Sequence, residues 1–213
     1  MPRLANVTVY CSSSEALHDE HFLIARRFGS LLASSGRGLV FGGGRVGLMG
    51  ETARAVRAAG GRTLGIITQR LKDAEQLDES NTENIVVLTM RERKALLESR
   101  GDAMVVLPGG LGTLEEFFEI LVGRLLGEHD KPIVMLNPRD PDGPGNGNAG
   151  GFYDPLIEMI DHMIRSRFAR EGVRALFDVR ATPEAVIARL DELERHPVVR
   201  PALETLVPAG AKR

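Results

Sequence analysis

Cysteine and tryptophan are the scarcest residues in this sequence: among 213 residues there is one cysteine and no tryptophan. The single cysteine, Cys11, cannot form a disulfide within the chain, and a metal cluster built from cysteines is excluded. A reducing compartment is the simplest setting for such a chain, so we expect a cytoplasmic protein.

Long apolar runs and an excess of positive charge are also missing. No stretch of about 18 apolar residues is present, and the N-terminal MPRLANVTVYCSSS has only a brief apolar run, so we expect neither a membrane span nor export. The 27 lysines and arginines are balanced by 29 aspartates and glutamates, which gives a net charge of −2 and a pI near 6.2. This balance excludes the broad basic surface that binds nucleic acid, so an anionic ligand must be held locally.

Short apolar runs that alternate with helical patterns dominate the rest of the chain. The runs predict seven strands: Val7–Tyr10, Gly38–Phe41, Thr63–Ile67, Asn84–Leu88, Ala103–Leu107, Pro132–Leu136 and Leu176–Val179. Helical periodicity predicts Ala53–Ala59, Met90–Ser99, a helix from near Thr113 to Leu125, Phe152–Ile164 and Pro183–Leu193. Together they predict an α/β fold: one Rossmann-like domain over residues 1–195, a doubly wound parallel sheet flanked by helices, followed by a C-terminal tail over residues 196–213. The Gly- and Pro-rich segment 137–151 is predicted to be a mobile surface loop.

Three loops rich in glycine or serine follow predicted strands, at Cys11–Ser14, Gly42–Gly50 and Pro108–Thr113. Because the carboxyl ends of parallel strands meet at one edge, these loops are expected to lie together where such sheets bind ligands. Small residues let backbone N–H groups approach an anion, and the following helix adds the positive end of its dipole. The alternative is that the glycines only permit sharp turns. Three such loops on one edge favour a phosphate site, with ligand contacts that include Ser12, Gly43 and Gly44.

Two common nucleotide-binding motifs are absent. The dinucleotide motif G-x-G-x-x-G would follow the first strand, where this sequence has serines, and the Gly-Lys-Ser/Thr of the triphosphate-binding P-loop does not occur. A nucleoside monophosphate or a sugar phosphate therefore fits better than NAD or ATP.

The segment LPGGLGTLEE places an acid, Glu116, in the first turn of the helix predicted to begin near Thr113, on the same side as Thr113. One interpretation is a capping box, S/T-x-x-E, formed by Thr113 and Glu116. The other is a catalytic carboxylate beside a phosphate, which requires a nearby cation because like charges at 4 Å repel by about 1 kcal/mol in water. Arg93 and Lys94 precede the same loop and are candidates, although such clusters are often only a solvated surface.

LPGGLGTLEE resembles the P-G-G-x-G-T-x-x-E signature of the LONELY GUY (LOG) family, the cytokinin riboside 5′-monophosphate phosphoribohydrolases. Other segments are similar in order and spacing over residues 5–195: VTVYCSSS, LVFGGGRVGLMG, GIIT, MRERKALL, LLGEHDKPIVMLN and GFYDPLIEMIDHM. The resemblance implies that Arg93 and Glu116 are the catalytic pair. It also implies that the nucleotide contacts Glu75, within LKDAEQLDE, together with Lys94, Pro108, Gly109, Gly110, Leu111, Gly112 and Thr113.

The resemblance further implies hydrolysis of a nucleoside 5′-monophosphate to free base and ribose 5-phosphate, by a homodimer with active sites near the interface and without metal or organic cofactor. Bacterial members have often been labelled lysine decarboxylases, but that reaction ordinarily needs pyridoxal phosphate on a lysine, and no motif supports it. A non-enzymatic alternative stays open, since molybdenum-cofactor carrier proteins have a similar scaffold. Arg91 stands where the family usually has histidine, a frequent tryptophan is missing, and Val122 replaces a polar residue. These differences lie where the base would be recognised, so the preferred base, cytokinin or adenine, stays open.

Overall fold

The computed structural model describes residues 4–74, 76–140 and 150–197. Within these ranges the chain forms one sheet of seven parallel strands in the order β4-β3-β2-β1-β5-β6-β7. The strands are β1 (Asn6–Tyr10), β2 (Gly38–Phe41), β3 (Thr63–Thr68), β4 (Glu83–Val87), β5 (Ala103–Val106), β6 (Ile133–Leu136) and β7 (Asp178–Arg180). The predicted α/β fold with a parallel sheet is confirmed.

Seven helices connect or follow the strands in the described residues: α1 (Asp19–Ser34), α2 (Gly47–Ala58), α3 (Gln69–Asp73), α4 (Met90–Arg100), α5 (Leu111–Leu126), α6 (Asp154–Arg165) and α7 (Pro183–Arg195). Buried side chains of α1, α2 and α7 pack on one face of the sheet, and those of α4, α5 and α6 pack on the other. In β1, for example, Val7 and Val9 face the first layer and Tyr10 faces the second. Because successive strand residues alternate between faces, covering both faces demands the continuous apolar runs seen in the sequence.

The strand order reverses between β1 and β5. The chain runs outward from β1 through β2, β3 and β4, and then returns to place β5 on the other side of β1. Tyr10 pairs with Val106, so the last residues of these two strands lie side by side. Connections that leave neighbouring strands in opposite directions open a crevice at the carboxyl edge, where doubly wound sheets bind ligands.

Some elements differ from the sequence predictions. Helix α1 is absent from the sequence predictions, although its buried residues recur with helical spacing; the buried set includes His21, and no side chain caps its first turn. Helix α2 begins at Gly47 instead of Ala53, although glycines are poor helix formers. The last strand is Asp178–Arg180 instead of Leu176–Val179, because the preceding residues form a 3-10 turn.

The segment 137–151 is fixed at both ends, contrary to the expectation of a wholly mobile loop. Asn137 is buried, and Arg139 forms an antiparallel bridge with Gly151. Residues 141–149 lie outside the described residues, as do residues 198–213 of the predicted tail. In the described ranges, no helix combines the length and the apolar character needed to cross a membrane.

Candidate active site at the carboxyl edge of the sheet

The three small-residue loops contact one another at the carboxyl edge of the sheet. The backbone N–H of Ser12 donates to the carbonyl oxygen of Pro108 over 3.1 Å, and the N–H of Leu48 donates to the carbonyl oxygen of Ser12 over 3.0 Å. Gly47 has a φ of +59°, and a Cβ added there would lie 2.5 Å from the carbonyl carbon of Ser13. The loops after β1, β2 and β5 therefore meet, as the sequence predicts.

In the loop after β2, packing against the rest of the protein explains the glycines. A Cβ at Gly42 would lie 2.0 Å from Nη2 of Arg93. Gly43 has a φ of +74°, and its Cβ would lie 3.3 Å from the backbone of β3. Gly44 forms an antiparallel bridge with Leu77. Contact with substrate by Gly43 and Gly44 remains a prediction, and at Gly43 the positive φ and the close backbone of β3 already require glycine.

The loop after β5 contains two kinds of glycine. A Cβ at Gly109 would lie 2.2 Å from Oγ1 of Thr113, so the turn itself requires this glycine. At Gly110 and Gly112 a Cβ would meet no atom within 4 Å, and neither residue has a positive φ. Both are exposed. No described part of the protein therefore requires glycine at these two positions, where it leaves the backbone open to a ligand.

Helix α5 begins at this open backbone. Its first residue is Leu111, its N-cap is Gly110, and no side chain caps its N-terminus. The first N–H groups of a helix have no partner within the helix, and the helix dipole makes this end positive. The backbone of Gly110–Thr113, which we call the cradle, therefore presents donors suited to a phosphate.

The capping-box interpretation of Thr113 and Glu116 is wrong. Because α5 begins at Leu111, Thr113 lies buried inside the helix and cannot be its N-cap. A capping box is present at the start of α4 instead, where Thr89 and Glu92 exchange hydrogen bonds. Helix capping thus does not explain why an acid occupies position 116.

Arg93, in the first part of α4, reaches the carboxyl ends of two strands. Its side chain is 8% exposed; Nε donates to the carbonyl oxygen of Ile66 over 2.9 Å and Nη2 to that of Gly42 over 3.1 Å. Burial lowers the pKa of Arg93, and the negative charge of Glu116 opposes this shift. A guanidinium stays protonated in proteins and has five N–H donors, so two anchors fix its plane and leave donors for a ligand.

Glu116 is a half-buried acid in the second turn of α5. Burial raises the pKa of its carboxyl group to about 7, although the positive charge of Arg93 acts to lower it and Glu115 adds to the rise. Arg93 and Glu116 therefore lie close enough for each to change the other's pKa, while no contact ion pair joins these two described residues. A carboxyl group that titrates near neutral pH is suited to acid–base or electrostatic catalysis.

Tyr10 interacts electrostatically with Glu116 and Arg93, and sequence reasoning missed it. It is the last residue of β1 and is buried. Burial raises the pKa of its phenol, and the negative charge of Glu116 raises it further. A tyrosine in a buried strand is normally read as core, so no pattern in the sequence identifies it.

Lys94 is held by two acids of α5. Its Nζ contacts carboxylate oxygens of Glu115 at 2.5 Å and Glu119 at 2.8 Å, which lie one turn apart on α5. A lysine ammonium has three N–H donors, so a nucleotide contact by Lys94 stays a prediction. Of the other predicted contacts, Ser12 uses its Oγ to accept the N–H of Ser14 over 3.1 Å, and Glu75 lies outside the described residues.

Comparison with known proteins identifies the family. A family model described as "Possible lysine decarboxylase" matches residues 49–190. A cytokinin riboside 5′-monophosphate phosphoribohydrolase of Rhodococcoides fascians is 36% identical over 190 residues, covering 89% of this chain and 90% of the relative. The chain belongs to the LOG family. Relatives named for the same activity include one from Mycobacterium tuberculosis, 48% identical over 132 residues (62% of this chain, 70% of the relative). Another, from Arabidopsis thaliana, is 35% identical over 189 residues (89% of this chain, 78% of the relative).

Solved structures agree on the fold. The molybdenum cofactor carrier protein of Chlamydomonas reinhardtii superposes with a TM-score of 0.66 at 20% identity, over 90% of this chain and 98% of that one. The molybdenum cofactor binding protein of Rippkaea orientalis gives a TM-score of 0.64 at 22% identity, with the same coverage. At this identity the likeness concerns the architecture alone.

The decarboxylase description of the family model does not fit the lysines of this site. Lysine decarboxylation ordinarily uses pyridoxal phosphate held on a lysine amine. The amine of Lys94 is held by Glu115 and Glu119. Lys131 precedes β6 at the opposite, amino edge of the sheet, where its amine donates to the carbonyl oxygen of Glu98. In the described residues, no group of three or more histidine, cysteine or acidic side chains is arranged to hold a metal ion.

Proposed function

We propose that this LOG-family chain hydrolyses the N-glycosidic bond of nucleoside 5′-monophosphates and releases the base and ribose 5-phosphate. One observation carries the proposal: a buried cation and an acid lie beside a phosphate-binding backbone. Arg93 and Glu116 change each other's pKa, and Glu116 belongs to α5, whose N-terminus has no side-chain cap and has two glycines with no protein atom beside them. The phosphoribohydrolase activity for which the relatives are named supports it. The proposed substrates are cytokinin riboside 5′-monophosphate, AMP, or both.

The cradle holds the phosphate of the substrate in this proposal. The N–H groups of Gly110–Thr113 and the positive end of α5 favour a dianion, and Gly112 leaves room for it. The phosphate does not react, so its binding energy serves to fix the ribose against Glu116.

Glu116 acts on the ribose carbon that carries the base. When the bond from C1′ to the base nitrogen breaks, its electron pair leaves with the base and positive charge develops on the sugar. An ionised Glu116 stabilises this charge, and water then adds to C1′; the proton that the water loses balances the one taken up by the nitrogen of the departing base. Arg93, fixed by the carbonyl groups of Ile66 and Gly42, offsets the repulsion between this carboxylate and the phosphate.

The direct test is a product assay on purified protein. AMP, isopentenyladenosine monophosphate, GMP and CMP are incubated separately, and free base and ribose 5-phosphate are quantified by chromatography. Adenosine is the matched control, since it has the same glycosidic bond without the phosphate that the cradle binds. We expect equal amounts of base and ribose 5-phosphate from at least one nucleotide and none from adenosine. Binding of nucleotide without release of base from any of the four would contradict the proposal and favour a carrier.

We also propose that the chain is a homodimer that associates through α5. Leu111, Val122 and Leu126 are 88%, 45% and 54% exposed, and at 100° per residue they share one side of the helix. Exposed apolar side chains aligned on one helix indicate a protein contact. Val122→Glu should shift the mass measured by light scattering from dimer to monomer. Met159→Glu is the control, because Met159 is 56% exposed on α6, outside the α5 side. A monomeric wild type would contradict this assignment.

The single cysteine supports a cytoplasmic setting for this activity. Cys11 is buried, and burial raises the pKa of its thiol. Such a thiol packs as a small apolar side chain and requires no oxidising compartment. Cell fractionation with an antibody to the chain tests this proposal.

A further inference from the structure

A tyrosine from a distant part of the chain holds the turn that leads into the cradle. The hydroxyl group of Tyr153 donates a hydrogen bond to the carbonyl oxygen of Leu107 over 2.7 Å, across a sequence separation of 46 residues. The backbone amide of Gly109 lies near the same hydroxyl group and acts to lower its pKa. The phenol oxygen therefore holds the carbonyl group just before Pro108.

Tyr153 is itself held in place by the segment after β6. Its backbone N–H donates to Oδ1 of Asn137 over 2.6 Å, and Nδ2 of Asn137 donates to Asp154 over 2.7 Å. Asp154 also accepts the N–H of Gly151 over 2.7 Å. A Cβ at Gly151 would lie 2.2 Å from Nδ2 of Asn137, so this close approach depends on glycine. The position of the phenol is thus set by buried or closely packed groups.

The Tyr153 hydroxyl stays protonated and acts as a constant donor. The residue is 2% exposed, and its ring packs edge-on against Phe152 with centroids 4.8 Å apart. Burial raises the pKa of the phenol, as does the nearby Cys11, whereas the Gly109 amide acts in the opposite direction. The hydrogen bond to Leu107 is therefore unaffected by pH in the neutral range.

The hydrogen bond from Tyr153 lies just before the cradle. It holds the last backbone carbonyl group before Pro108, whereas the N–H groups at the start of α5 have no capping side chain. We propose that Tyr153 is a positioning residue for phosphate binding: its hydroxyl fixes the Leu107 carbonyl group so that the Gly110–Thr113 backbone is preorganised for the anion. This inference rests on the proposed function, because it assigns a supporting residue to the same phosphate site.

Tyr153→Phe removes only the hydroxyl group and tests the proposal. Loss of one hydrogen bond in a preorganised site corresponds to about a 3- to 10-fold loss of affinity. We expect the Kd for ribose 5-phosphate, measured by calorimetry, to rise by about this factor. In assays with AMP, KM should rise by a similar factor, with kcat changed less than about twofold, because the hydrogen bond from Tyr153 to Leu107 acts on ground-state and transition-state binding alike. Inhibition by free adenine should stay the same, because adenine lacks the phosphate.

Thr8→Val is the matched control. The Thr8 hydroxyl also donates to a buried carbonyl, that of Leu97 over 2.6 Å, but it lies within β1, away from the cradle. Both variants should lose similar thermal stability, while only Tyr153→Phe weakens ribose 5-phosphate binding. Should Tyr153→Phe fail to fold, Asn137→Ala displaces the same tyrosine and should reproduce the change in Kd.

The possible results separate this inference from the proposed function. An unchanged Kd for ribose 5-phosphate in Tyr153→Phe overturns the inference, even if the wild type releases base from AMP. An equal loss of adenine and ribose 5-phosphate affinity also overturns it, because that pattern indicates general distortion. A selective loss of ribose 5-phosphate affinity supports it, even if the wild type releases no base and the hydrolase proposal fails.

Discussion

The two glycine-rich turns at the carboxyl edge, one after β2 and one after β5, are similar in composition and different in what their glycines do. In the turn after β2, Gly42, Gly43 and Gly47 each face a protein atom that a methyl group would displace. In the turn after β5, Gly110 and Gly112 face no protein atom within 4 Å. A count of glycines therefore does not indicate a ligand site, whereas a glycine with neither a close packing contact nor a positive φ does.

The same contrast extends to the charged residues beside each turn. The turn after β2 receives the Arg93 side chain, whose Nη2 donates to the Gly42 carbonyl oxygen. The turn after β5 continues into the helix that carries Glu116. The first turn thus positions a cation, and the second offers backbone donors and an acid to a ligand.

The largest effect that tests this division is expected from Glu116→Gln. The substitution keeps the shape of the side chain and removes its charge, so kcat for AMP should fall by about 10³-fold while the Kd for nucleotide changes little. The measurement is a single-turnover assay with calorimetric Kd values. Glu115→Gln, one residue away and exposed, is the control and should retain most of the activity. Equal activity of Glu116→Gln and wild type would remove the acid from the mechanism and favour a carrier.

Gly42→Ala should give the next largest effect. Its Cβ would lie 2.0 Å from Nη2 of Arg93, the far end of a flexible side chain, so the guanidinium moves and the backbone stays. Displacement of a positioned group by about 1 Å costs on the order of 100-fold in kcat/KM. The free energy of unfolding should fall by only about 1 kcal/mol, the value of one hydrogen bond. Gly38→Ala is the control, since its Cβ would also meet the end of a side chain, Oδ1 of Asn6 at 2.9 Å, but at the amino end of β2, on the opposite edge of the sheet from the site. Full activity in Gly42→Ala would show that the position of Arg93 is unimportant.

Gly112→Ala should separate stability from activity. Alanine in a helix is more stable than glycine by about 0.5–1 kcal/mol, and no described atom opposes the methyl group, so the melting temperature should rise. The Cα–Cβ bond in a helix tilts toward its N-terminus, where the phosphate is proposed to bind. We therefore expect KM for AMP to increase about 10-fold, since a misplaced contact of about 1.4 kcal/mol has that effect. Higher stability with unchanged KM would place the phosphate elsewhere.

The sequence predicts the sheet well because strands buried on both faces need unbroken apolar runs. It predicts α5 for a similar reason, since the side chains that pack on β5 and its neighbours recur with helical spacing. It does not reveal the start of α2, where Gly47 and Gly50 oppose helix formation. There the tertiary hydrogen bond from Leu48 to Ser12 and the close approach of Gly50 to Arg45 override local propensity.

In the site, too, features set by nearby residues are predicted from the sequence, whereas features set by distant residues are not. Arg93 and Glu116 are predicted from motifs, each of which is contiguous in sequence. Their supports are not, because the Gly42 carbonyl lies 51 residues from Arg93 and the Tyr153 hydroxyl lies 46 residues from Leu107. Backbone carbonyl groups are present at every position, so no residue type identifies which of them will anchor a side chain.

The smallest expected effect is a shift in the pH dependence of activity. It tests whether the neighbours of Glu116, in the helix after β5, change the pKa of its carboxyl group. Burial raises the pKa of its carboxyl group to about 7, and an ionised carboxylate is needed in the proposed reaction, so kcat/KM should increase with pH through about 7. Glu115 helps to raise the pKa of Glu116, so in Glu115→Gln the increase of kcat/KM should occur at a pH lower by a fraction of a unit. Glu184 is an exposed acid on α7, so Glu184→Gln should leave the pH dependence of kcat/KM unchanged.

Stability should show the opposite pH dependence from activity. A folded-state pKa above the ordinary value of 4.5 means that the folded protein binds this proton more tightly than the unfolded chain. The free energy of unfolding contributed by Glu116 is therefore greatest below pH 4.5 and declines as pH rises to about 7, where the carboxylate becomes charged within the fold. Urea unfolding at several pH values should show this decline in the wild type and its absence in Glu116→Gln, relative to the other titrating groups. If both proteins lose stability in parallel between these pH values, the raised pKa of Glu116 is contradicted, and the acidic limb of activity must come from another group.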